Sequence, residues 1–441
     1  MFQELEPEEF IKERVSALYM ITYWNVWIRN MFINWRGLNL SISKTLACSL
    51  TLLYTSTISF AQQVTSDVGN FYPLLDSYGS KNEVSLSYLA KDWKDAEEWR
   101  KAAKAKLNEL LAFNPEPAPL NTEILNTTKR AGYTQYLVRY NLNALQKTEA
   151  FLLVPDNLTK PAPAVIALHD HGGFYYFGKE KHTLTDNRPA ILVEYIQNLY
   201  EGRSYADELA KRGFVVLCPD AIYFGSQKLD PEALTPGVSK SYLSQISKAD
   251  ESASIKAYNK LAGANEVAME KTILTSGTTW LGIIAQGDKV AVDFLLSRPE
   301  VVPDKIGCIG LSLGGLRSTY LFGLDSRIQV GVIAAFSTTY QQMLKEHAHH
   351  TWMMYVPRQY QFLDLPDVAS LNAPRPLMVM NCNQDKLFSH SGMQAAEQKL
   401  SAVYKKMKAS DKFKCNYYDE PHSMTIPMQE DAFAWLEKWL K

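Results

Sequence analysis

The sequence predicts an α/β fold, a doubly wound and mainly parallel sheet with helices on both faces and an insertion over the active edge. Three observations carry that prediction. From residue 164 onward, short apolar runs alternate with longer amphipathic ones, the pattern of strands joined by crossover helices. Residues 305–320, KIGCIGLSLGGLRSTY, pass from an uncharged strand into a helix with no loop between them. The 441 residues are 46% hydrophobic and 21% charged with net charge −1, a balance that fills a large apolar core. The same balance, with no Lys/Arg block, argues against a nucleic-acid partner.

The first 61 residues stand apart. Residues 45–61, TLACSLTLLYTSTISFA, are apolar, preceded by Arg36 and Lys44, and end on the small-residue spacing of Ser59 and Ala61. This is a secretory signal pattern, with cleavage expected near Ala61 and a true start expected at Met31. The rival reading, residues 15–28 as a membrane anchor, leaves 14 residues between Arg14 and Arg29, too few to span. No stable membrane association is therefore expected after cleavage, and Cys48 lies too early in the run for lipidation. Cys218, Cys308, Cys382 and Cys415 each fall in or at the end of an expected strand, and their pattern reads as buried free thiols, although export would permit pairing.

Residues 62–120 are expected to form a helical arm, because 95–111, DAEEWRKAAKAKLNELL, repeats apolar residues every three to four positions and PEPAP stops it. Residues 121–441 form the main domain. Runs at 133–141 and 148–154 read as a hairpin at a sheet edge. Strands follow at 164–169, 214–218, 306–311, 328–335, 377–381 and 414–418, and helices at 204–212, 288–297, 313–322, 390–408 and 428–440. Gly323 is placed to end the helix at 313–322. Residues 221–284 leave a strand's carboxyl end and interrupt the alternation, so this polar insertion is expected to cover part of the catalytic edge.

Gly310-Leu-Ser-Leu-Gly314 sits at the strand-to-helix junction. A chain that turns this sharply forces Ser312 into a strained conformation and needs glycine at 310, 314 and 315, where side chains would collide with the neighbouring strand or helix. The serine hydroxyl then stands at a strand end, and the Leu313 N–H at the helix start faces a developing oxyanion. Such a serine needs a base and the base needs an orienting acid. His422 follows the last expected strand and Asp385 the one before it, in the chain order Ser, Asp, His used on this architecture. Asp419 and Glu420 are fallback acids, disfavoured as sequence neighbours of His422. The second oxyanion donor is expected from the His169-Asp-His-Gly-Gly173 loop: the N–H of His171, with Gly172 as the alternative, while His169 braces the loop.

Residues 292–328 resemble the α/β-hydrolases of the dienelactone hydrolase and acetyl xylan esterase type, and LHDHGG (168–173), GKEK (178–181), the Asp385 loop and EPHS (420–423) match in the same order. The likeness spans about residues 80–441 and implies the α/β-hydrolase fold with Ser312, Asp385 and His422 as triad. Dienelactone hydrolases carry cysteine where this chain has Ser312, a departure that favours an ordinary esterase. The expectation is a secreted serine esterase acting on an acetyl or methyl ester of a polysaccharide, with no metal or organic cofactor. A peptidase of the prolyl-oligopeptidase kind would share the triad, but residues 62–120 are too few for its β-propeller. A binding protein on a dead scaffold would lack a triad member.

Several conspicuous residues read as structural. His347, His349 and His350 do not converge from i, i+2, i+3 spacing to bind zinc. Phe174–Phe177, Trp280 and Tyr223 suit packing under the insertion as well as sugar stacking. Arg317 reads as a buried ion-pair partner.

Overall fold

A computed structural model describes residues 65–156, 158–244 and 250–441. The signal pattern at 45–61 and the Met31 start lie outside the described residues. In chain order the elements are α1 (Tyr72–Gly79), α2 (Ala96–Leu111), β1 (Glu123–Arg130), β2 (Tyr133–Asn141), β3 (Lys147–Pro155), β4 (Ala162–Leu168), α3 (Ala190–Tyr200), α4 (Tyr205–Lys211) and β5 (Val215–Pro219). Next come α5 (Pro236–Leu243), α6 (Glu251–Thr275), α7 (Trp280–Leu296), β6 (Val301–Leu311), α8 (Leu313–Leu324), β7 (Ile328–Ala334) and α9 (Tyr340–Lys345). The chain closes with α10 (Leu365–Ser370), β8 (Leu377–Cys382), α11 (His390–Lys406), β9 (Phe413–Tyr418) and α12 (Ile426–Leu440).

The strands form one sheet in the order β1-β2-β3-β5-β4-β6-β7-β8-β9. Pairing is antiparallel from β1 to β5 and parallel from β5 to β9. The centre is apolar on both faces because helices cover both. Ile166, Leu217 and Cys308 point into the layer with α2 and α7, while Val165, Val216 and Ile309 point into the layer with α3, α4 and α12, the period-two alternation of a pleated strand. All four described cysteines are free; Cys218, Cys308 and Cys382 are buried and Cys415 is half-buried.

Three expectations need correction. The hairpin β2–β3 is not at the edge, since β1 pairs outside β2. β1 reads EILNTTKR and buries no residue fully, so backbone pairing, not apolar alternation, holds it in the sheet. The helix before the elbow strand starts at Trp280, not 288. Thr279 caps it by accepting the Gly282 N–H at 3.0 Å, and glycine at 282 is required because a Cβ there would collide with the Leu111 carbonyl. Finally, Gly323 does not end α8, which continues to Leu324; it lets α8 approach the Val368 carbonyl of α10.

Candidate active site

Strand order dictates which loops meet. β4 and β6 are parallel neighbours, with Leu168 opposite Gly310, so the loop after β4 emerges beside Ser312. Strand order reverses here, and in open α/β sheets such a switch point opens a crevice at the strands' carboxyl ends. β8 and β9 pair up to Cys382 and Tyr418, and the loops beyond stay joined through Asn383 N–H to Tyr418 O (2.8 Å) and Gln384 N–H to Glu420 O (3.1 Å). Those two loops carry Asp385 and His422.

Ser312 has φ 58° and ψ −117°, left-handed backbone in a residue with a Cβ. A strain of this kind costs roughly 1–3 kcal/mol. Its N–H donates to Ala334 O at 2.9 Å and its carbonyl accepts from Leu316 N–H at 2.9 Å, so both strand and helix hold the turn. A Cβ on Gly310 would strike Gly314, one on Gly314 would strike the Leu168 carbonyl, and one on Gly315 would press on Phe336 and the Ala334 carbonyl. All three glycines singled out in the sequence are thus sterically required.

His422 Nδ1 lies 2.7 Å from Asp385 Oδ2, and Asp385 Oδ1 accepts the Leu387 N–H at 2.8 Å. The Asp385 side chain is fully buried while the imidazole keeps 17% exposure. Asp419 instead bonds Gln384 Nε2 at 3.0 Å. His422 and Ser312 line one pocket of about 550 Å³. Among the described residues no hydrogen bond joins them, a contact that in many hydrolases closes only when substrate binds.

The loop after β4 is fixed from beneath. Lys181, fully buried, donates from Nζ to the carbonyls of Asp170 (2.7 Å) and His171 (2.9 Å), and the Asp170 carboxylate accepts from Tyr195 and Tyr200. Burial pushes Asp170 up, but Lys181 and the two tyrosines outweigh it and hold the carboxyl below its ordinary value. His169 braces the loop as expected: Nδ1 meets Asp170 O at 2.9 Å and Nε2 accepts Ala221 N–H at 3.1 Å. That pattern needs the neutral ring, and burial, with Arg317 and Lys181 nearby, pushes its pKa well down. Gly172 and Gly173 have φ 53° and 63°. The Gly173 N–H is taken by His171 Nδ1 at 3.0 Å, whereas the N–H groups of Leu313, His171 and Gly172 have no partner among the described residues.

Glu266 is a pocket residue that carries no signal in the sequence. Glu266, from the inserted helix α6, faces Ser312's pocket and accepts from His171 Nε2 (2.8 Å) and Tyr175 O–H (2.9 Å). His349 and His350, read as structural, also line it. Among the described residues no group of three His, Cys, Asp or Glu is arranged to hold a metal. Trp280 and Tyr223 pack edge-to-face at 5.2 Å in the core, and Arg317 pairs with Asp288 at 2.6 Å, both buried. No described helix is long and apolar enough to cross a membrane.

Residues 187–430, more than half the chain, match the model of the dienelactone hydrolase family. A curated Bacillus subtilis (strain 168) protein, "Putative hydrolase YtaP", is 27% identical over 343 residues, covering 77% of this chain and all of that one. Among solved structures, a "putative acetyl xylan esterase" from Bacteroides fragilis superposes with TM-score 0.61 at 18% identity, over 80% of this chain and 84% of that one. A glucuronoyl esterase from Solibacter usitatus follows with TM-score 0.53 at 15% identity, over 80% of this chain and 95% of that one. These two likenesses establish the α/β-hydrolase fold.

Proposed function

Because the chain belongs to the dienelactone hydrolase family and is thereby a hydrolase of carboxylic esters, we propose that it is a secreted serine esterase of carbohydrate esters. Ser312 Oγ attacks the ester carbonyl while His422 Nε2 takes its proton. The N–H groups of Leu313 and of His171 or Gly172 stabilise the oxyanion. His422 passes the proton to the leaving alcohol, and Asp385 stabilises the imidazolium through Nδ1. Water activated by His422 then attacks the acyl-enzyme, and loss of the Ser312–acyl bond returns the serine and releases the acid.

The observation that carries this reading is the 2.7 Å contact between His422 Nδ1 and the wholly buried Asp385 side chain, with His422 lining the pocket that the strained Ser312 also lines. Nδ1 is thereby occupied, which leaves Nε2 as the base. The carbohydrate assignment draws on the fold's likeness to solved carbohydrate esterases and on a polar insertion at the site, and secretion on the run at 45–61. The test is turnover of 4-nitrophenyl acetate by the wild type and by Ser312→Ala. Loss of at least about 10³-fold in kcat is expected; undiminished turnover by the variant would overturn the mechanism.

A further inference from the structure

Glu266 is spent on one oxygen only. Its Oε1 accepts from His171 Nε2 at 2.8 Å, Tyr175 O–H at 2.9 Å and Thr351 O–H at 3.3 Å. His171 Nδ1 already accepts the Gly173 N–H, so Nε2 is the donor in that pair. Oε2 has no partner among the described residues, yet the residue is only 8% exposed and lines the pocket with Ser312. Burial pushes this carboxyl up, but the bonds from His171, Tyr175 and Thr351 outweigh it and keep it ionised at neutral pH. An ionised carboxylate can only accept.

A second uncharged ring borders the same pocket. His350 Nδ1 accepts the Thr351 N–H at 3.0 Å, so the neutral ring carries its proton on Nε2, which is buried and unpartnered. Burial, reinforced by His171 and His422, pushes the His350 pKa down to about 4 and keeps the ring neutral. No lysine or arginine is among the residues lining the pocket. An acceptor-only group suits a hydroxyl, which can donate to it, whereas a substrate carboxylate would meet a like charge with no cation to offset it.

We propose that Glu266 is a specificity residue whose Oε2 accepts a substrate hydroxyl beside the scissile ester, so that the site selects neutral, hydroxyl-rich esters over those bearing a free carboxylate. The inference rests on the esterase reading above. Its test uses the full chain and four esters: 4-nitrophenyl acetate, a monoacetylated methyl xyloside, its deoxy analogue lacking the neighbouring hydroxyl, and a monoacetylated methyl glucuronoside with free carboxylate. The wild type should lose about 10- to 100-fold in kcat/KM on the deoxy ester, and about 10-fold or more on the anionic one. In Glu266→Gln the amide oxygen stays with the three donors and the NH₂ replaces Oε2, turning acceptor into donor. Both discriminations should shrink to within about 3-fold, and the ratio of xyloside ester to 4-nitrophenyl acetate should fall about 10-fold or more. A wild type indifferent to the hydroxyl, or a variant that lowers all four esters in one proportion, would overturn the proposal. Should the variant fail to fold, the wild-type comparison of the deoxy and hydroxylated esters decides alone. Turnover surviving in Ser312→Ala would instead strike the esterase reading.

Discussion

Replacing Asp385 with asparagine tests the assignment of the acid at the level of single protons. Asp385 Oδ1 accepts the Leu387 N–H at 2.8 Å, and Oδ2 faces His422 Nδ1 at 2.7 Å. An asparagine of the same shape must keep its carbonyl oxygen toward Leu387, because two donors would otherwise oppose each other. Its NH₂ then points at His422 Nδ1, which must turn acceptor. The proton moves to Nε2, the nitrogen that has to receive the Ser312 proton. The base is thus disabled with the ring still held in place, and the imidazolium loses its counter-charge. Losing the tautomer and the charge together is worth about 10⁴-fold in kcat in a Ser-His-Asp triad, roughly 5 kcal/mol of transition-state stabilisation, with KM little changed. The assay is steady-state 4-nitrophenyl acetate hydrolysis at neutral pH, with Asp419→Asn as control and thermal unfolding to verify the fold. Asp419 bonds Gln384, so its variant should stay within about 3-fold of wild type. Retention of a tenth of wild-type kcat by Asp385→Asn, or a comparable loss in Asp419→Asn, would refute the reasoning.

Two further outcomes follow from the site's surroundings. Gly314→Ala would drive a methyl into the Leu168 carbonyl, so urea unfolding should show a loss of about 3 kcal/mol or more, with esterase activity falling in the same preparation. Glu270, one turn along α6 from Glu266, is buried with Oε2 unpartnered, and burial followed by the Glu266 charge raises its pKa to about 7. A carboxyl raised above its unfolded value destabilises the fold as pH climbs from that value through 7, so Glu270→Gln should gain stability over wild type across about pH 5–7, by at most about 3 kcal/mol, and hold that gain above; a stability difference flat across this range would contradict it.

What could be read in the sequence is what local chemistry fixes. Ser312 was legible because a strand-to-helix turn with no loop demands glycines at fixed offsets, and each of the three meets a named obstacle in space. α2 was legible because Asp95 caps it and Trp99, Ala103, Leu107 and Leu110 fall on one buried face. Asp385 and His422 could be picked by counting strand ends, since a parallel sheet delivers every such end to one rim. The hidden parts have non-local causes. β1 is polar along its length and exists because β2 offers an open edge. α7 looked shorter because its glycines meet other chain segments, and Gly323 looked like a terminus for the same reason. Glu266 was invisible because an inserted helix carries it more than 40 residues ahead of the elbow, and its three partners come from positions 171, 175 and 351. The spacing of His350 to His347 and His349 speaks only to a metal site, where three rings must converge. In the fold His350 is instead one of the rings that line the pocket of Ser312. The proposed reacting groups therefore follow from strand order and turn chemistry, whereas the proposed selectivity rests on an insertion and a loop whose meeting no local pattern encodes. On that proposal substrate choice is to be sought in contacts such as that of Glu266 with His171 rather than in the elbow.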